Sequence, residues 1–191
     1  MARAQFDRNN VIDKSIELFW NNGFNASSMK QVVQATGLKP GSLYLAFGNK
    51  EALFREALQR YAETGMAQIR HKLDSATSIG KGICEILETI VQESTRENYC
   101  SCFLIKTQLE LAVEGNELHE FAAAKLGELE ALYRSYLEKE FSVSVSQHRA
   151  VSLMWHIFGM KVYGYQRGIA EDVMRQGLRE GLPWLPWAQN V

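Results

Sequence analysis

The chain has 191 residues, 46% of them hydrophobic, with 21 Lys and Arg against 22 Asp and Glu and only 3 prolines. That apolar content excludes intrinsic disorder, which requires low hydrophobicity and a large net charge, and the length sets one large or two modest folding units. No run reaches the roughly 18 charge-poor apolar residues that cross a bilayer, and the amino-terminal stretch lacks the apolar core of a secretory signal. Three cysteines, Cys84, Cys100 and Cys102, are too few for a disulfide framework and point to a reducing compartment, so a cytoplasmic protein without membrane attachment is expected.

The elements read as helices throughout, and the fold class is all-α. Over residues 7–22, Val11, Ile12, Ile16, Phe19 and Trp20 recur at the spacing of one helical stripe, and Asn22-Gly23 stops it. Ser27 or Ser28 caps a short second helix that ends at Thr36-Gly37. Pro40 opens a third helix through Leu43, Tyr44 and Phe47, with Leu43 and Phe47 on the inward stripe. Asn49 caps a fourth, striped by Leu53, Phe54, Ala57, Leu58 and Tyr61.

A polar, Gly-containing bridge is expected from Asp74 to Gly82. Beyond it lie helical stretches around Ile83 to Val91, Phe103 to Leu111, residues 117–140, residues 144–164 and residues 171–181. The stretch 144–164 is apolar on more than one face, the pattern of a helix covered on two sides.

The near-zero net charge conceals an asymmetry. Residues 1–60 hold 8 bases against 5 acids, and no acid occurs between Glu17 and Glu51, a window containing Lys30, Lys39 and Lys50. Such a segment approaches a polyanion without like-charge repulsion. Within it, residues 28–47 form two short helices joined at Thr36-Gly37-Leu38-Lys39, the helix-turn-helix arrangement. The strings Gly23-Phe24-Asn25-Ala26-Ser27-Ser28-Met29-Lys30-Gln31-Val32-Val33 and Gly37-Leu38-Lys39-Pro40-Gly41-Ser42-Leu43-Tyr44-Leu45-Ala46-Phe47-Gly48-Asn49-Lys50-Glu51-Ala52-Leu53 resemble the tetracycline-repressor-like (TetR) family of bacterial transcription regulators. The resemblance covers roughly residues 6–61. It implies a helix-turn-helix domain over 1–50, a linking helix over 50–64, and a helical effector-binding and dimerisation domain over 65–191. It also implies a two-fold dimer on a double-stranded, pseudo-palindromic operator, a small effector that releases it, and repression as the habit.

The residue chemistry assigns roles within that frame. Gly41 lets the third helix approach the sugar-phosphate wall, Ser42 and Tyr44 offer hydroxyls, and Lys50 brings an ammonium to the start of the fourth helix, where phosphate is attracted. Lys39 is the candidate for a base edge, with Ser42 and Leu45 as partners for base or thymine-methyl contacts. Ser27, Ser28 and Lys30 meet the flanking backbone, and Arg3 reaches toward the minor groove. Pro40 and Ala46 depart from the family pattern, which often has a basic or polar residue and then an aromatic or histidine there.

The carboxyl-terminal helices, with residues 146–164 and Val173, Met174, Leu178 and Leu182, are the expected dimer seam. Candidate effector residues are Phe103, Thr107, Glu110, Tyr133, Met154, Trp155 and Phe158, which mix aromatic walls with polar tips and are equally readable as plain core. Cys100 and Cys102, beside Arg96 and a helix start, are candidates for a thiol sensor of oxidants or electrophiles; the alternative is that they are small buried hydrophobes. His71, His119, His148 and His156 are scattered and make no metal site. No cofactor is expected. Gly-x-Gly-x-x-Gly, Gly-x-Ser-x-Gly and His-Glu-x-x-His are all missing, which argues against an enzyme. The competing function is a helical protein-interaction adaptor that does not bind DNA.

Overall fold

The computed structural model describes residues 6–112, 115–166 and 168–187, and Arg3 lies outside them. Among the described residues nine helices follow one another: α1 (Arg8–Asn22), α2 (Met29–Thr36), α3 (Pro40–Phe47), α4 (Lys50–Ser75), α5 (Ile79–Ser94), α6 (Phe103–Leu111), α7 (Glu117–Leu137), α8 (Val143–Tyr163) and α9 (Glu171–Gly181). None is long and apolar enough to cross a membrane.

Local signals set most of the boundaries. The Asp7 carboxylate accepts from the Asn9 and Asn10 amides to open α1. Of the two serines before α2, Ser28 is the cap, in a reciprocal box with Gln31. Gly37 closes α2 in the left-handed conformation (φ 72°). The Asn49 side chain accepts from the Ala52 amide at the start of α4. The bridge expected at 74–82 is shorter than the sequence suggests, because Ser78 accepts from the Lys81 amide and α5 starts at Ile79. Gly80 and Gly82 are helical, and they are small because a Cβ there would press on Pro186 and on Leu73 and Ala76.

Two compact units emerge: Met1–Thr64 with Phe103–Lys125, and Gly65–Cys102 with Leu126–Val191. Phe103–Lys125 group with the amino-terminal helices rather than with the rest of 65–191. The reason is aromatic. Phe54 of α4 is fully buried, with its ring 4.8 Å from Phe19, 5.1 Å from Phe24 and 5.1 Å from Phe103, and Phe103 also meets Tyr61 at 5.7 Å. In the second unit the α5 stripe of Ile83, Ile86, Leu87, Ile90 and Val91 is buried, as are Leu153, Ile157 and Met160 of α8 and Met174 and Leu178 of α9. Arg175 of α9 binds Glu88 of α5 in a fork and Glu171 of its own helix.

Candidate nucleic-acid interface

α3 divides cleanly into an inner and an outer face. Leu43 and Phe47 are buried, as their stripe requires, while Lys39, Pro40, Gly41, Tyr44 and Leu45 face outward. Leu45 is 91% exposed and Tyr44 50%. Ser42 is half-buried. Lys39 is the exposed residue at the helix start and makes no side-chain cap bond. A Cβ added at Gly41 would meet nothing within 4 Å, so no packing within the chain demands a glycine there. Lys30 and Ser28 are exposed at the start of α2, although the Ser28 hydroxyl is engaged with Gln31.

Two residues expected at the duplex are placed differently. Ser27 is buried and its hydroxyl donates to the Gly23 carbonyl. Lys50 does not stand over free amides: its Nζ donates to the Phe24 and Ser27 carbonyls at 3.0 and 3.1 Å and lies 4.0 Å above the Phe24 ring. It ties the α1–α2 loop to the start of α4.

Other positioning residues carry no local sequence signal. Arg8 donates to the Ala46 carbonyl at 2.8 Å, lies over the Phe47 ring and pairs with Glu56, holding the end of α3. From α6, the Glu110 carboxylate accepts from the Phe24 and Asn25 amides at 2.9 and 2.7 Å, and Lys106 donates to the Trp20 carbonyl. One face of α6 thus grips both sides of the turn that precedes α2.

The candidate effector residues are divided between the two units. Phe103, Thr107 and Glu110 belong to the first unit, where Phe103 is core, the Thr107 hydroxyl donates to the Phe103 carbonyl, and Glu110 holds the loop. Tyr133, Met154, Trp155 and Phe158 belong to the second. There Tyr133 is wholly buried with no partner for its hydroxyl among the described residues, and burial pushes its pKa up. Trp155, by contrast, is 73% exposed. It heads an outward stripe on α8 with Gly159, Val162 and Tyr163, beside an open groove of about 480 Å³ that α9 completes with Val173 and Gly177. Of the expected seam residues, Val173 is outward, whereas Met174, Leu178 and Leu182 are internal core.

Cys100 and Cys102 are half-buried. The Tyr165 hydroxyl accepts from the Ser101 amide at 3.0 Å and bonds the Cys100 side chain, and Tyr99 donates to the Lys161 carbonyl at 2.7 Å. The thiol segment is thereby fastened to the end of α8. Cys84 differs, because burial pushes its thiol up to about 11.

Comparison with known proteins agrees with this arrangement. Residues 11–57 match the model of bacterial regulatory proteins of the tetR family. The HTH-type transcriptional repressor ComR of Escherichia coli (strain K12) is 32% identical over 115 residues, 59% of this chain and 55% of ComR. The HTH-type transcriptional regulator YezE of Bacillus subtilis (strain 168) is 27% identical over 135 residues, 70% of each chain. The chain thus spans little more than half the length of ComR. Among solved structures, a cysteine-substituted TetR-family regulator CifR, complexed with 26-bp double-strand operator DNA, is 26% identical with a TM-score of 0.79 over 98% of this chain and 100% of that one. Reduced NemR of E. coli, at 16% identity and a TM-score of 0.73 over 91% of this chain and 94% of its own, shares the fold. Helix-turn-helix geometry and the match over residues 11–57 show that this segment is a domain of the kind found in bacterial regulatory proteins of the tetR family, and the fold as a whole is similar to that of the TetR-family regulator CifR.

Proposed function

We propose that the protein is a transcriptional repressor that binds a pseudo-palindromic operator as a homodimer and is released by a small effector. The observation that carries the reading is the outer face of α3. It lies in an acid-free window, presents Lys39 beside two exposed large side chains, and retains a glycine at 41 that its own fold does not need. An exposed helical glycine costs about 1 kcal/mol relative to alanine, and close approach of a duplex wall supplies the reason to keep it. Gly41→Ala is accordingly expected to raise thermal stability while weakening operator binding by about 1–3 kcal/mol, the usual cost of overpacking a close contact. Melting curves and mobility shifts on the same preparations check both signs.

The outward stripe of Trp155, Gly159, Val162 and Tyr163, with Val173 across the groove, supports a second copy as the partner of α8 and α9. Two copies place their recognition helices about 34–36 Å apart, which calls for half-sites at matching spacing. The buried Tyr133 hydroxyl, without a partner among the described residues, supports an effector site in the second unit. A ligand shifts the dimer away from the operator by no more than its difference in affinity for the two states.

The deciding experiment selects bound fragments from random DNA and follows binding against salt. A regulator loses affinity steeply, with a log-log slope of about −0.9 per neutralised phosphate, whereas an adaptor shows no duplex binding to lose. Lys39→Ala is expected to cost about 1–3 kcal/mol and relax preference at one or two positions.

A second reading rests on the fastening of Cys100 to Tyr165. Modification of this thiol by peroxide or quinones removes a bond that holds the end of α8, and so lowers operator binding. The Cys100→Ser/Cys102→Ser protein is expected to lose the response while Cys84 stays unmodified; an unchanged response refutes the reading.

A further inference from the structure

The outward residues of α3 carry an unusual chemistry for reading a duplex. Residues 40–47 contain no Arg, Lys, Asn, Gln, Asp or Glu, so no side chain of the helix interior makes the two-pronged hydrogen bonds by which guanine or adenine edges are commonly recognised. What the helix presents instead is Leu45, 91% exposed and the most exposed of the large hydrophobic side chains among the described residues. It stands one turn beyond Gly41, on the face where the backbone is barest. The Arg8 anchor on Ala46 and Phe47 fixes the next turn from behind, so Leu45 is held outward on a rigid element.

An apolar side chain in the major groove has one chemically matching group among the four bases, the 5-methyl of thymine. We infer that the sequence preference of this protein is set by a methyl group: Leu45 packs on the 5-methyl of one thymine in each half-site, and Lys39 takes a guanine edge toward the start of the helix. The inference rests on the operator-binding reading above and sharpens it. At 1.5 Å rise per residue, Lys39 and Leu45 are about 9 Å apart along the axis, which places guanine and thymine about two to three base-pair steps apart. Tyr44, beside Leu45, has a hydroxyl for phosphate and so positions without specifying.

The test uses the full chain and the operator recovered by selection from random DNA. Each thymine is replaced in turn by deoxyuridine, which deletes the methyl and keeps the pairing. One position per half-site is expected to lose about fourfold in affinity, the factor for burial of one methyl-sized group, and about 15-fold when both half-sites are changed. At that position cytosine binds weakly and 5-methylcytosine regains affinity. Leu45→Ala, which removes a solvent-exposed side chain and leaves the core intact, binds the thymine and deoxyuridine operators equally. If the parent binds its operator tightly yet no deoxyuridine substitution changes affinity, or Leu45→Ala still discriminates, the methyl inference is overturned and operator binding stands. Failure to bind any duplex at low salt overturns both.

Discussion

Trp155→Glu is expected to turn a dimer into a monomer and to abolish operator binding at concentrations where the parent is saturated. In the isolated subunit Trp155 is 73% exposed, so the substitution removes no core contact, and helix content by circular dichroism is expected to be unchanged. The expected loss comes from the proposed interface. A buried tryptophan anchor typically contributes 2 kcal/mol or more, a two-fold seam contains it twice, and about 4 kcal/mol corresponds to roughly a 1,000-fold rise in the dimer dissociation constant. Two carboxylates brought into the same seam add an uncompensated charge on each side. Sedimentation velocity reads the assembly and a mobility shift reads the consequence, because one recognition helix alone reaches only a half-site. A Trp155→Glu protein that stays dimeric and keeps its affinity removes α8 from the proposed seam.

The sequence was most informative where structure is decided by neighbours in the chain. Asp7, Ser28, Gly37, Pro40 and Asn49 each act within about four residues, and the starts of α1 to α4 and the end of α2 follow from them. It was least informative where a side chain finds a distant partner. Ser27 and Lys50 look like surface polar residues in the sequence, yet the carbonyls of Gly23, Phe24 and Ser27 absorb them. Arg8 and Glu110 reach residues 38 and 86 positions away, and nothing in their immediate surroundings announces it. The glycines at 80 and 82 mislead for a related reason, since they read as a linker but answer to the atoms of Pro186 and Leu73. Trp155 and Met174 show the remaining ambiguity. A helix that is apolar on more than one face does not say which residue faces the chain's own core and which faces outward.

Gly23→Ala is expected to be the most damaging single methyl that can be added to the amino-terminal unit. Gly23 closes α1 with φ 83° and ψ −179°, a backbone region essentially reserved for glycine, and forcing another residue into it costs about 1–3 kcal/mol. The added Cβ would also stand 2.5 Å from Glu110 Oε2, so the carboxylate must leave the Phe24 and Asn25 amides it binds. Bonds to a charged acceptor contribute about 1.5–3 kcal/mol each, and water replaces part of that at the exposed Asn25 amide. A destabilisation of about 2–4 kcal/mol follows. A double-mutant cycle separates the two causes. In a Glu110→Ala background the clash is gone, so Gly23→Ala should there cost only the backbone term, leaving a coupling of about 1 kcal/mol or more between the two sites. Urea titrations of the four proteins measure it. Strict additivity would mean that the backbone alone resists the methyl and that Glu110 is not what holds the turn before α2.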